Sequence, residues 1–100
     1  MKKIMISMPM ANKNYIELLL KYQNYKRLLM EREFKVINTL FRYEKKEYIN
    51  MPIFYLSKAI QAMSKCDAVF FAKGWQKARG CKIEHEIAKQ YGLELIYEKE

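Results

Sequence analysis

Three ionisable residues stand together near the carboxyl end of the chain, in the segment GCKIEHEIAKQYG at 80–92. Glu84 and Glu86 carry carboxylates, and His85 between them is the only histidine in the chain. A buried carboxylate can serve as a nucleophile or can accept a hydrogen bond from a sugar hydroxyl. A solvent-facing carboxylate does neither, so the direction of each side chain decides which of the three residues is a candidate for chemistry.

The segment predicts a helix over 81–91 that ends at Gly92, because glycine is the usual residue just past a helix end. Successive residues of a helix are rotated by about 100° around its axis. When Ile83 is placed at 0°, the apolar residues cluster around a direction of about 65°. They are Ile83, Ile87, Tyr91 and Ala88.

The helical geometry separates the two glutamates. Glu84 falls at about 100°, inside the apolar face, whereas Glu86 falls at about 300° and His85 at about 200°, both outward. An inward carboxylate is costly unless it is satisfied. Glu84 therefore either bonds to a neighbouring group, such as Trp75 or a backbone N–H, or serves a ligand site, kept ionised by the helix N-terminus.

Hydrophobic patterns along the chain predict alternating strands and helices. Strands are expected over 3–7, 34–40, 67–73 and 93–97, and helices over 15–32, 53–65 and 81–91. Strands that alternate with helices favour one α/β domain over 1–100, a flavodoxin- or Rossmann-like three-layer sandwich. We expect a four-stranded parallel sheet of order 2-1-3-4 with helices on both faces.

In such sheets, ligands bind beyond the carboxyl ends of the strands. Lys77 and Arg79 would surround a helix N-terminus there and could hold a phosphate, or could simply face solvent. Trp75 could stack on a base, or could pack over the end of the third strand. The candidate ligand-binding residues are Met8, Pro9, Met10, Arg42, Gly74, Trp75, Lys77, Arg79 and Gly80.

The composition limits the partners. A net charge of +8 fits a nucleic acid, an anionic membrane or a phosphorylated small molecule as partner. The lysines are interspersed with glutamates, as on an ordinary solvated surface, which argues against nucleic acid and favours a phosphorylated small molecule. No apolar run is long enough to span a membrane, and no cleavage site follows MKKIMISMPM, so we expect a cytoplasmic location. Cys66 and Cys81 have no metal or redox spacing and should stay reduced; no metal or cofactor is expected.

The first predicted helix is apolar on more than one face. Ile16, Leu20 and Met30 widen the apolar stripe beyond what one face of a sheet can cover. We therefore expect a homodimer or larger homo-oligomer, with the first or second helix in the interface.

Three segments resemble the nucleoside 2-deoxyribosyltransferase-like superfamily, in particular its small phage and bacterial members. They are KIMISMPM, CDAVFFAKGWQKARGC, and the frame formed by Gly80, Glu84, Ala88 and Gly92 at intervals of four. The resemblance implies that Glu84 is a catalytic nucleophile, which attacks the anomeric carbon of a deoxyribosyl group and is then released by water or a second base.

The chain departs from that superfamily at two positions. Met8 stands where its members have a glycine after the first strand, and Ala78 stands where active transferases carry an acid that handles the base. An acid for the leaving base would then be Glu44, Glu47, a tyrosine, or a residue of a second subunit.

Two functions follow as expectations. The first is an N-glycosidase or deoxyribosyltransferase-like enzyme that acts on a nucleotide or nucleoside through Glu84. The second is a binding protein without turnover, in which the same pocket holds a nucleotide-derived signal, as a phage protein would to sequester it.

Overall fold

Strands and helices alternate along the chain in the computed structural model, which describes residues 1–11, 13–40 and 48–99. A single turn of 3-10 helix, Trp75–Lys77, precedes the last helix. The main elements are β1 (Lys3–Ser7), α1 (Tyr15–Glu31), β2 (Lys35–Val36), α2 (Met51–Met63), β3 (Ala68–Phe71), α3 (Arg79–Gln90) and β4 (Glu94–Tyr97).

The four strands form one parallel sheet in the order β2-β1-β3-β4, which confirms the predicted topology. β1 and β3 lie in the centre and are apolar throughout apart from their ends, because both of their faces are covered. On one face, α1 places Leu18, Tyr22 and Leu29 against the sheet. On the other face, residues of α2 and α3, including Met63 and Ala88, pack against the sheet.

β2 is shorter than predicted. The apolar run over 34–40 suggested seven strand residues, but only Lys35–Val36 belong to the ladder, followed by a bond from Ile37 N to Ile4 O. Thr39 then leaves the ladder, and its Oγ1 donates to the carbonyl of Ile6 at 2.9 Å. A side-chain hydroxyl thus replaces the backbone donor, which turns the chain toward the carboxyl rim of β1.

The helix starts determine which backbone groups remain available to a ligand. Asn14 caps α1 and Asn50 caps α2, each accepting from a backbone N–H three residues later. α2 begins two residues earlier than predicted, because Pro52 is well tolerated in a first turn. α3 also begins two residues early, at Arg79, and its cap Ala78 offers no side-chain hydrogen bond. The first N–H groups of α3 are therefore open to a ligand.

Within 1–11, 13–40 and 48–99, no helix combines the length and the apolar character required to cross a bilayer.

Candidate functional site

Glu84 lies on the sheet-facing side of α3, as the helical geometry predicted, and Glu86 is exposed. Because α3 starts at Arg79, Glu84 occupies the second turn of the helix and not the first. Its side chain is half-buried and tilts back toward the helix start, as helical side chains do. A Cβ atom built on Gly80 would lie 3.8 Å from Glu84 Oε2, so the carboxylate rests directly over that glycine.

The Glu84 carboxylate faces a cavity of about 540 Å³ at the carboxyl edge of the sheet. The cavity lies where α1, on one face of the sheet, and α2 and α3, on the other, meet the ends of β1 and β2. Its apolar and aromatic lining includes Ile6, Tyr22, Leu40, Pro52, Tyr55, Leu56 and Ala59. Its lining from the end of β1 and the start of α3 includes Ser7, Lys77, Arg79, Gly80, Cys81 and Glu84.

Most of the predicted site residues meet at this cavity. Met8, Pro9, Met10, Lys77, Arg79 and Gly80 all line it together with Glu84. Gly74 and Trp75 do not line it and border a separate groove instead. Arg42 lies outside the described residues, as do the candidate acids Glu44 and Glu47.

Gly74 has a structural role beside the cavity. Its φ of 91° lies in the left-handed region that favours glycine. A Cβ atom at this position would lie 3.5 Å from Cγ of Pro9, an ordinary contact distance. The positive φ is therefore what requires glycine in the turn between β3 and α3.

Trp75 and His85 pack against each other, and neither lines the cavity. Their rings stack at 4.1 Å with an interplanar angle of 20°, and His85 Nε2 lies 2.7 Å from the hydroxyl of Tyr97. Trp75 also contacts Phe71 at the end of β3. Of the two interpretations of Trp75, the structure therefore matches packing over the end of the third strand.

The outward direction predicted for His85 is wrong, and so is the inward direction predicted for Tyr91. The most deeply buried side chains of α3 are Cys81 and Ala88, so the buried face is rotated toward His85 and away from Ile83, which is 39% exposed. Tyr91 follows the last helical residue and is 81% exposed. Glu84 lies inside the buried face whether that face is centred on the predicted direction or on Cys81 and Ala88.

Burial raises the pKa of Glu84 from its ordinary value of 4.5 to about 7, and the hydroxyl of Ser7 lowers it in opposition. Removal from water disfavours the charged carboxylate. The expectation that the helix N-terminus keeps Glu84 fully ionised is thus not met. Near neutral pH, the Glu84 carboxyl is therefore protonated in part of the molecules and ionised in the others.

Several cavity residues were not recognised from the sequence. Tyr22, Thr39, Tyr55 and Leu56 reach the cavity only because α1, α2 and the segment after β2 converge on it. Ser7 could have been noticed, because it is a hydroxyl residue at the carboxyl end of an apolar strand. It is 2% exposed in the structure.

The two cysteines are unpaired and buried, in agreement with the prediction that they stay reduced. Burial raises the pKa of Cys81 to about 11, so its thiol is neutral beside the cavity. Within the described ranges, no three His, Cys, Asp or Glu side chains lie close enough together to hold a metal ion.

Comparison with known proteins places the carboxyl-terminal half of the chain in a family. Neither the curated proteins nor the solved structures gave a match. A family model described as "Domain of unknown function (DUF4406)" matches residues 46–97, just over half of the chain, and covers α2, β3, α3 and β4. The chain belongs to the family described as Domain of unknown function (DUF4406).

Proposed function

We propose that the protein cleaves the N-glycosidic bond of a nucleotide or nucleoside, with Glu84 as the nucleophile. The observation that supports this most directly is the carboxylate of Glu84 facing a cavity at the carboxyl edge of the sheet. Ligands of open parallel sheets bind at that edge. The resemblance to the nucleoside 2-deoxyribosyltransferase-like superfamily suggests the reaction, which is attack of a glutamate on the anomeric carbon of the sugar.

In the proposed reaction, an oxygen of the ionised Glu84 carboxylate forms a bond to the anomeric carbon of the sugar. The bond from that carbon to the base nitrogen breaks, and its electron pair leaves with the base, which takes up a proton. Water then attacks the glycosyl ester, the free sugar leaves, and the carboxylate is restored, as in a retaining glycosidase. A second base in place of water would make the reaction a deoxyribosyl transfer.

The cavity lining offers contacts for both parts of a nucleotide. Tyr22, Tyr55 and Leu56 are apolar and aromatic residues on which a base could pack. Lys77 and Arg79 line the cavity beside the uncapped N-terminus of α3, and together they suit a phosphate. A proton for the leaving base would come from a cavity tyrosine, from Glu44 or Glu47, or from a second subunit.

The alternative is a protein that binds a nucleotide-derived signal without turnover, as a phage protein would to sequester a host signal. Ala78 favours this function, because it lines the cavity where active transferases of the resembled superfamily carry an acid. Glu84 would then accept a hydrogen bond from a ribose hydroxyl.

A nucleotide panel distinguishes the two functions. Small molecules that survive purification are identified by mass spectrometry, and the protein is then incubated with ribo- and deoxyribonucleotides and their nucleosides. Release of free base supports the enzyme. An intact nucleotide that leaves only on denaturation supports the binding protein. If neither result is observed, both proposals are refuted.

We expect Lys77→Ala and Arg79→Ala to weaken phosphorylated ligands by about tenfold or more each, since a charge-assisted hydrogen bond contributes about 1.5–3 kcal/mol. The affinity for the matching free nucleosides should hardly change, because only the phosphate loses a partner. Isothermal titration calorimetry with nucleotide and nucleoside pairs measures both. Lys82→Ala is the matched control, as Lys82 is exposed on the same helix and does not line the cavity. An equal loss for both members of a pair would contradict the phosphate assignment.

We also propose that the protein self-associates in the cytoplasm, where nucleotides occur. Ile16 and Leu20 on α1 are 69% and 66% exposed, and Met30 is exposed on the same helix. Sedimentation equilibrium at high micromolar concentration should give a dimer or larger species. Leu20→Lys should shift the distribution toward monomer if α1 forms the interface, or Ile53→Lys if α2 does. A monomeric wild-type protein would contradict the proposal.

A further inference from the structure

Ser7 is the only polar residue that is buried within the described ranges, and its hydroxyl has no hydrogen-bond partner there. A buried hydroxyl without a partner costs about 1–3 kcal/mol. Such a group in a folded protein calls for an explanation, because nearly all buried polar atoms are satisfied. Ser7 is also one of the residues that line the Glu84 cavity.

The backbone of Ser7 is held firmly by the centre of the sheet. Ser7 pairs with Phe71 in the parallel ladder between β1 and β3, and its carbonyl accepts from Ala72 N at 2.9 Å. Met5, two residues earlier on β1, packs on the sheet face covered by α2 and α3, so the Ser7 side chain projects from a rigid strand toward the same face. A group attached there is well suited to hold a more flexible partner in place.

Two partners on α3 face the Ser7 hydroxyl. It lowers the pKa of both the Cys81 thiol and the Glu84 carboxyl, although it completes a hydrogen bond to neither in the described structure. A serine hydroxyl has one hydrogen to donate, and it rotates freely to direct it. A carboxylate is the stronger acceptor of the two, because hydrogen bonds to ionised groups are about twice as strong as neutral ones.

We propose that Ser7 is a positioning residue, whose hydroxyl donates to the ionised Glu84 carboxylate and keeps it directed into the cavity. This inference rests on the proposed function for its mechanistic meaning, since a nucleophile must be both ionised and aligned with the anomeric carbon. The hydrogen bond itself can be measured without any turnover.

Other groups around the cavity also influence the ionisation of Glu84. Lys77 precedes α3 and Arg79 begins it, and both are cations that line the cavity. Cys81 lies beside Glu84 on α3, and its thiol is neutral. Tyr22 on α1 and Tyr55 on α2 also line the cavity. These groups are unchanged in a Ser7 variant, so a difference between variant and wild type reports on the hydroxyl alone.

The test is a carbon-13 NMR titration of the Glu84 carboxyl in the ligand-free protein. We expect Ser7→Ala to raise the pKa of Glu84 by about one pH unit, which corresponds to one hydrogen bond to a charged group. Ser7→Thr keeps the hydroxyl and should restore the wild-type value. Ser64→Ala, at the exposed end of α2, should leave the titration unchanged. At pH 5, where Glu84 is protonated and does not need the hydrogen bond, the melting temperature of Ser7→Ala should match or exceed that of the wild type.

An unchanged titration in Ser7→Ala would overturn the proposal and leave Ser7 as a small packing residue. This outcome is separate from a failure of the proposed function, which would appear as wild-type protein that releases no free base. If turnover is found, Ser7→Ala should lower kcat more than it raises KM, because Ser7 acts through Glu84. It should also move the pH midpoint of kcat/KM upward by the same amount as the NMR titration.

Discussion

Glu84→Gln is expected to reduce N-glycosidic cleavage by several orders of magnitude while it changes nucleotide affinity little. The amide keeps the shape of the side chain and much of its hydrogen bonding, but it cannot form the glycosyl ester. Release of free base, followed by chromatography under single-turnover conditions, measures the loss. Direct titration of the same nucleotide measures the affinity.

Glu86→Gln is the matched control, because Glu86 is two residues away on the same helix and exposed. It should leave both rate and affinity unchanged. The proposed role also predicts the pH dependence of kcat/KM. It should rise with pH through a midpoint at about 7, the pKa of Glu84, and level off above it, since the carboxylate is the reactive form. Full activity in Glu84→Gln would refute the nucleophile. If no nucleotide is cleaved and Glu84→Gln loosens a bound one, Glu84 is a hydrogen-bond acceptor in a binding protein.

Glu84→Gln is also expected to stabilise the protein at alkaline pH. Burial raises the pKa of Glu84 from 4.5 to about 7, so between these values the folded protein holds a proton that the unfolded chain has released. Raising the pH through this interval therefore weakens folding, by up to about 3 kcal/mol in total for a shift of this size. Glutamine is neutral throughout and avoids this cost.

Urea denaturation of the wild type and of Glu84→Gln at pH 5 and pH 8 measures the effect. The two proteins should have similar stability at pH 5, and the variant should be more stable by up to about 3 kcal/mol at pH 8. For a domain of this length the change corresponds to a melting temperature higher by roughly 10–20 °C. Glu86→Gln should show no such pH-dependent difference. A gap that stays constant from pH 5 to pH 8 would mean that the carboxyl of Glu84 is not desolvated.

The buried Glu84 carboxyl lowers the stability of the fold above neutral pH, and it lines a cavity. A destabilising group in such a position is consistent with a functional constraint. Replacing Glu84 by a neutral residue would favour stability above pH 7, and among residues 1–11, 13–40 and 48–99 only the Ser7 hydroxyl lowers the pKa of Glu84. Sites that need a reactive group commonly retain such destabilising features.

The local pattern of the sequence was sufficient for the elements and for their order. Alternating apolar segments predicted four strands and three helices. The right-handed crossover rule left few topologies, and the flavodoxin-like order expected among them is the observed order β2-β1-β3-β4. The direction of Glu84 also followed from the sequence, because the period of a helix is an intrinsic property of its backbone. These features depend on interactions between residues close in the chain, or on general rules of handedness.

Tertiary structure alone decided the environment of each candidate residue. His85 turned inward because Trp75, Phe71 and Tyr97 arrive from three other segments to pack around it. The same packing places Trp75 outside the cavity lining. The ladder of β2 stopped after Val36 because the Thr39 side chain took over the bond to β1.

The ionisation of Glu84 could not be predicted from the sequence either. A helix N-terminus alone favours a carboxylate, whereas burial disfavours it, and only the packing of α3 against the end of β1 shows that burial prevails. The sequence thus determined which residues could do chemistry and on which helix face they lie. The tertiary structure determined how much water each one keeps, because desolvation depends on contacts between segments that are far apart in the chain.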